Sequence, residues 1–262
     1  MSELKYTLRG DLTKNIDGRT LYRIEALKDF SDVKKGDLGG FVESFDNLSQ
    51  EGDCWVYDIA CVYENARVYG DALIYAYAKI YESAEIYQDA LISGNAQIFG
   101  MAEIHGHASI YGFSLISGSV DICGYAKVHD KAVIDGYAKI CENAEVYGYV
   151  KVSDYAKVGN YANIYGNAHI IGSAIICKDK DYYVCKCIWS NSKYCTCTHL
   201  TYTHSNKMWC YEGVNYTATE LVKKMSEESE SDGQYCESMV EYIESLYKKI
   251  EDEENNNNKI NK

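Results

Sequence analysis

The side chains best equipped for chemistry are thiols and imidazoles. Cys185, Cys187, Cys195 and Cys197, followed by His199, His204 and Cys210, cluster the donor types that hold zinc. Their C-x-C spacing differs from the C-x2-C knuckle of ordinary structural zinc sites, and Cys alternating with Thr or Lys also describes a strand that buries small thiols. Structural cysteines are therefore expected, with Cys185, Cys187, Cys195, Cys197 and His199 as the candidate ligands should a metal bind. Upstream stand His105, His107, His129 and His169. A histidine works as a general base only with an orienting partner and room for a substrate, and none of these stands in a diagnostic motif. They read as surface or interface side chains; no catalytic residue and no cofactor is assigned. The opening residues MSELKYTLRGDL lack a signal-peptide pattern, so a cytoplasmic chain with reduced thiols is expected from its 11 Cys.

A repeat positions these groups. Ile or Val recurs at every sixth residue from Val56 to Ile176, 21 positions without exception; Ala stands two residues earlier in 17 of them, and two residues later stands Gly in 11 and an acid in six. Residues two apart share one side of a strand, so each short strand has an apolar face of Ala and Ile or Val, and the following Gly or acid marks a turn. A period of six excludes an amphipathic helix. Such a unit cannot bury its face alone and must stack on its neighbours, which makes the fold an all-β solenoid. The absence of Pro suits strands bonded on both sides.

The unit A-x-[IV]-Y-[GDE]-x resembles that of the hexapeptide-repeat proteins. Residues 21–58, LYRIEALKDFSDVKKGDLGGFVESFDNLSQEGDCWVYD, are similar to the N-terminal module of a phage and prophage family of such proteins, the YdcK-type transferases. Residues 205–225, SNKMWCYEGVNYTATELVKKM, resemble the closing segment of that family, with Asn215 and Ala218 departing from its pattern. The resemblance implies a left-handed parallel β-helix with three hexads per coil, about seven coils in all. It also implies side-by-side homo-oligomers, a homodimer or homotrimer, and action in a host cytoplasm.

The residue after each Ile or Val should face outward, and with three hexads per coil one face reads Tyr57, Tyr75, Ser93, Tyr111, His129, Tyr147, Tyr165. Beside it run Trp55, Leu73 and Leu91 on the first coils. Stacked aromatics stabilise neighbouring strands, and an apolar strip of this width is covered by the N-terminal module or by another chain. The expected binding surface is Trp55, Tyr57, Leu73, Tyr75, Leu91, Tyr111, His129, Tyr147 and Tyr165.

The remaining segments read as an N-terminal cap module (1–52), the repeat (53–178), a β-hairpin region (179–216), a helical hairpin (217–254) and a disordered tail (255–262). Thr217 and Glu220 form a capping box, and a second helix carries Tyr235, Met239, Ile243, Leu246 and Ile250 on its apolar face. The last 36 residues carry 11 acids and 4 bases, more than half of the net charge of -13. No basic patch with interleaved aromatics appears, so direct nucleic-acid binding is not expected, and no apolar run is long enough for a membrane span. The expected function is a non-enzymatic binding scaffold of phage type that engages a host protein or a second copy of itself, with inhibition of an antiviral defence such as a CRISPR effector as its task. The alternative is an acyltransferase using acyl-CoA, with His105 or His129 as base. The repeat has no insertion that could form a pocket wall, which favours the scaffold.

Overall fold

The computed structural model describes residues 4–178, 181–188 and 197–260. They fall into two compact units, Met1–Asp179 and Lys180–Lys262.

In the first unit the repeat folds as a parallel β-solenoid. Among the described residues, two-residue strands recur every six positions from β4 (Trp55–Val56), β5 (Cys61–Val62) and β6 (Arg67–Val68) to β24 (Ile175–Ile176). Each strand pairs in parallel with the strand 18 residues on, as in Trp55↔Leu73 and Lys127↔Glu145, so three hexads complete a coil. The strands form three sheets, one on each side of the coil stack. The Ala and Ile or Val of each hexad are fully buried, from Ala60 and Val62 to Ala174 and Ile176. At about 0.8 kcal/mol per buried methylene this central stack is the main driving force, and its inward positions hold only Ile, Val, Ala and the small Cys54 and Ser114.

The turns explain the Gly and acid positions. Every sixth residue from Asp58 to Gly172 has positive φ; among them are Gly94 at 68° and Gly112 at 73°, but also Glu64 at 59° and Glu82 at 56°. Gly suits this conformation because it lacks a Cβ.

The N-terminal segment is part of the solenoid as well as its lid. A hairpin of β1 (Tyr6–Ile16) and β2 (Arg19–Ala26) pairs antiparallel with β3 (Leu38–Val42), and β3 runs parallel to β5. Leu48 forms a further parallel bridge to Val68. This adds a turn before the first regular hexad, which makes about eight turns where the hexad count implies about seven. The extra turn advances 20 residues, as Phe41↔Cys61 and Leu48↔Val68 show, so it falls outside the six-residue period that reveals the others. Gly40 allows the close approach, since a Cβ there would lie 2.6 Å from the Ala60 carbonyl oxygen. The Tyr6 hydroxyl donates to the Leu48 carbonyl at 2.6 Å, and the buried Lys5 ammonium donates to the Gly52 and Cys54 carbonyls at 3.1 and 3.0 Å.

The second unit holds a four-stranded antiparallel sheet, β25 (Tyr182–Ile188), β26 (Cys197–Thr203), β27 (Met208–Tyr211) and β28 (Val214–Tyr216), where a hairpin was expected. Two helices follow, α1 (Ala218–Glu228) and α2 (Glu230–Ile260). The Thr217 and Glu220 capping box opens α1 as its sequence implies. Helix α2 continues as far as Ile260, into the segment expected as a disordered tail. Its buried stripe is Cys236, Val240, Ile243 and Tyr247, packed with Leu200, Tyr202, Trp209, Leu221 and Met225. Of the expected apolar face, Ile243 is buried and Met239 and Ile250 pack against this core, while Tyr235 is exposed; the buried stripe is rotated toward Cys236, Val240 and Tyr247. Among the described residues no helix is long and apolar enough to cross a membrane.

Candidate binding surface

In the six-residue unit, the residues flanking each inward Ile or Val point outward, and parallel register stacks like upon like at the strand spacing of about 4.8 Å. That spacing suits offset ring stacking. On the face begun by β4, Tyr57 and Tyr75 lie with centroids 4.3 Å apart and planes at 8°. After Ser93 the column resumes as Tyr111, His129, Tyr147 and Tyr165, with successive separations of 4.6, 4.9 and 5.8 Å. The face begun by β5 stacks Tyr63, Tyr81 and Phe99 at 5.2 and 4.9 Å. The face begun by β6 stacks Tyr69, Tyr87 and His105 at 5.0 and 4.8 Å. Such pairs contribute about 0.5–1.5 kcal/mol each beyond their burial. Burial pushes the phenol of Tyr57 upward, and the Asp32 carboxylate that accepts its hydrogen bond at 2.6 Å adds to the shift.

Part of the expected surface is covered. Trp55 is buried, with Phe30 and Tyr6 edge-on at 5.3 and 6.0 Å, so it belongs to the packing of the N-terminal segment and not to a binding face. The segment satisfies the strip of the first coil by covering it. Leu73, Tyr75, Tyr111, His129 and Tyr147 are half-buried, while Leu91 and Tyr165 are exposed.

The most exposed rings of the solenoid sit at the corners between faces, three residues before the next strand's inward Ile or Val, on the residue preceding an Ala or, at Phe113 and Tyr149, a Ser or Val. Tyr77, Phe113 and Tyr149 share one corner, Tyr137 and Tyr155 a second, and Tyr125 and Tyr161 the third; all are at least 59% exposed. Tyr137 and Tyr155 stack at 5.0 Å, and Lys131 lies 4.9 Å over the Tyr149 ring. Attention to the outward strand position alone misses this set. The recurring Tyr-Ala dipeptide, at Tyr77, Tyr125, Tyr137, Tyr155 and Tyr161, is the signal that reveals it. Tyr77 and Phe113 also line a groove of about 360 Å³ with Lys14, Lys79, Cys61 and Gln97.

The histidines acquire partners that the linear sequence hides. His105 Nε2 lies 3.1 Å from Asp121 Oδ1, whose other oxygen holds Lys139 Nζ at 2.6 Å. His129 is engaged on both ring nitrogens, Nδ1 at 3.2 Å from Asp130 and Nε2 at 3.1 Å from Glu145, between the rings of Tyr111 and Tyr147. His204 lies in the second unit, stacked on Tyr247 at 4.6 Å with Nε2 2.9 Å from Glu251.

The cysteine cluster is only partly described. In the backbone register Cys185 pairs with Leu200 and Cys187 with Thr198, whereas Cys197 pairs with Ile188 and His199 with Lys186. Neither Cys185 nor Cys187 is thus the direct cross-strand partner of Cys197 or His199, and Cys195 lies outside the described residues.

Comparison with protein-family models finds no match for this chain, and comparison with curated proteins finds none either.

Proposed function

We propose that the chain is a β-solenoid binding scaffold whose outer corners and stacked aromatic faces engage a protein partner. The observation that carries this reading is the set of exposed rings at the corners, held on coils that run without an insertion from Val56 to Ile176. Tyrosine offers a large contact area at a low cost in side-chain entropy, and tyrosines fixed on a stack of paired strands meet a partner already ordered. In keeping with the resemblance to phage and prophage solenoids, the proposed partner is a host protein of the cytoplasm, an antiviral effector among the candidates; self-association into a homodimer or homotrimer is the other outcome. The test is capture from host lysate by the full chain and by the Tyr137→Ala/Tyr155→Ala/Tyr161→Ala variant, with solution mass measured alongside. Stoichiometric capture by the parent chain and at least tenfold weaker capture by the variant support the reading. Capture that is equal for both sinks it.

A second reading, an acyl-CoA-dependent acyltransferase with His105 as base, draws support from the carboxylate of Asp121 beside its ring. A carboxylate fixes the tautomer of a basic imidazole. His129 suits that role less, because both of its nitrogens face carboxylates. Acyl transfer by the parent chain that disappears in His105→Ala would establish this reading over the scaffold.

A further inference from the structure

We propose that His105, Asp121 and Cys123 form a binding site for a divalent transition-metal ion of the zinc type, on the outer face of the solenoid begun by β6. The imidazole nitrogen, carboxylate oxygen and sulfur all lie within 4.8 Å of one another. A tetrahedral ion with bonds of about 2.0–2.3 Å holds its ligands roughly 3.3–3.8 Å apart, so rotation about the side-chain torsions closes the set.

The backbone explains the convergence. Asp121 and Cys123 flank the inward Ile122 and therefore point outward together. Ile104 pairs with Ile122 in the parallel ladder, which sets His105 directly beside Cys123 one coil away. The ladder is closed on both sides: the His105 N–H donates to Ile122 and the Cys123 N–H to Ile140, each at 2.9 Å. Asp121 therefore stands on a paired strand, and His105 and Cys123 directly follow one with their backbones held in the ladder, a placement that limits how far the donors can stray from the required geometry.

Neighbouring groups orient the ligands. The His105 ring lies flat on Tyr87, with centroids 4.8 Å apart and planes at 4°. Lys139 holds Asp121 Oδ2 and leaves Oδ1 directed at His105. Water completes the tetrahedron around the three protein ligands. Calcium and magnesium require oxygen ligands throughout, whereas one nitrogen, one oxygen and a thiolate suit zinc or cobalt. Binding forms the sulfur–metal bond as the thiol releases its proton to solvent; thiolate and carboxylate together balance the charge of the ion.

The site does not depend on what the faces bind. It is separate from the Cys185 to His199 cluster, so counting equivalents on the full chain distinguishes the two. The experiment titrates zinc into the reduced chain by calorimetry and cobalt(II) by absorption, for the parent, Cys123→Ser and His105→Ala. Each variant is expected to bind one equivalent fewer than the parent, and Cys123→Ser to lose intensity in the thiolate-to-cobalt charge-transfer band. All three side chains point away from the core, and far-ultraviolet circular dichroism verifies that the coils persist. Equal equivalents and an unchanged cobalt spectrum in folded variants would overturn the site, as would a parent chain that binds no metal.

Discussion

The carboxylate of Glu64 accepts a hydrogen bond at 2.9 Å from the backbone N–H of Glu82, the residue that takes the same left-handed turn one coil further on. Glu82 repeats the contact with the N–H of Gly100, also at 2.9 Å. Asp58 does so for Ala76, Gln88 for Gly106 and Asp154 for Gly172. An acid at the turn is thus not simply a tolerated substitute for Gly. It carries the cost of positive φ, roughly 1–2 kcal/mol, and offsets it by capping an N–H that the turn above leaves free.

This predicts an order among variants at one position. Glu82→Ala retains the left-handed backbone and loses the cap on Gly100, so it should be destabilised by about 0.5–1.5 kcal/mol. Glu82→Gly loses the same cap but relieves the backbone, and should be more stable than Glu82→Ala by about 1 kcal/mol. Urea unfolding of the three proteins gives the comparison; a Gly variant no more stable than the Ala variant would refute the account.

Asn47 latches the irregular first turn to the regular coils. Its buried amide donates to the carbonyls of Glu64 and Ala66, both at 2.9 Å, and its oxygen accepts from the N–H groups of Glu43 and Ser44 at 3.1 and 2.9 Å. Asn47→Ala leaves these groups without partners and should cost roughly 2–4 kcal/mol. Hydrogen exchange should locate the loss in residues 38–68 and leave the later coils protected; uniform deprotection would contradict this.

Alkaline pH should weaken the second unit. Burial pushes the phenols of Tyr202 and Tyr211 up from 10.0 to about 12. The folded state holds these protons more tightly than the unfolded chain, so their stabilisation is complete below pH 10 and is lost as pH rises through 12. Thermal unfolding followed at the tryptophan of the sheet, Trp209, should shift to lower temperature across that interval. Tyr202→Phe should reduce the shift, and an equal shift in that variant would exclude Tyr202 as its source.

The six-residue spacing of Ile and Val with Ala two residues before determines most of the fold, because period-two alternation admits one inward face and each unit must stack to bury it. The aromatic columns follow from the same spacing once 18 residues make a coil, as Tyr57 over Tyr75 shows. The capping box of Thr217 is equally local and equally legible. Contacts made by segments outside the repeat, and the pairing of charged groups across coils, are not. Trp55 reads as a surface residue until Phe30 and Tyr6, far from it along the chain, close over it. The turn before the repeat escapes a search at period six because it advances by 20 residues. His105 gains Asp121 only when 18-residue coils bring 105 beside 123, and the second helix shows its true apolar face only against the sheet it packs on. The sequence by itself determined which side chains point inward, since that depends on backbone geometry within one strand. Tertiary structure decided how many residues make a coil and which segments fold back over it, since partners separated by a full coil are set by the register between strands.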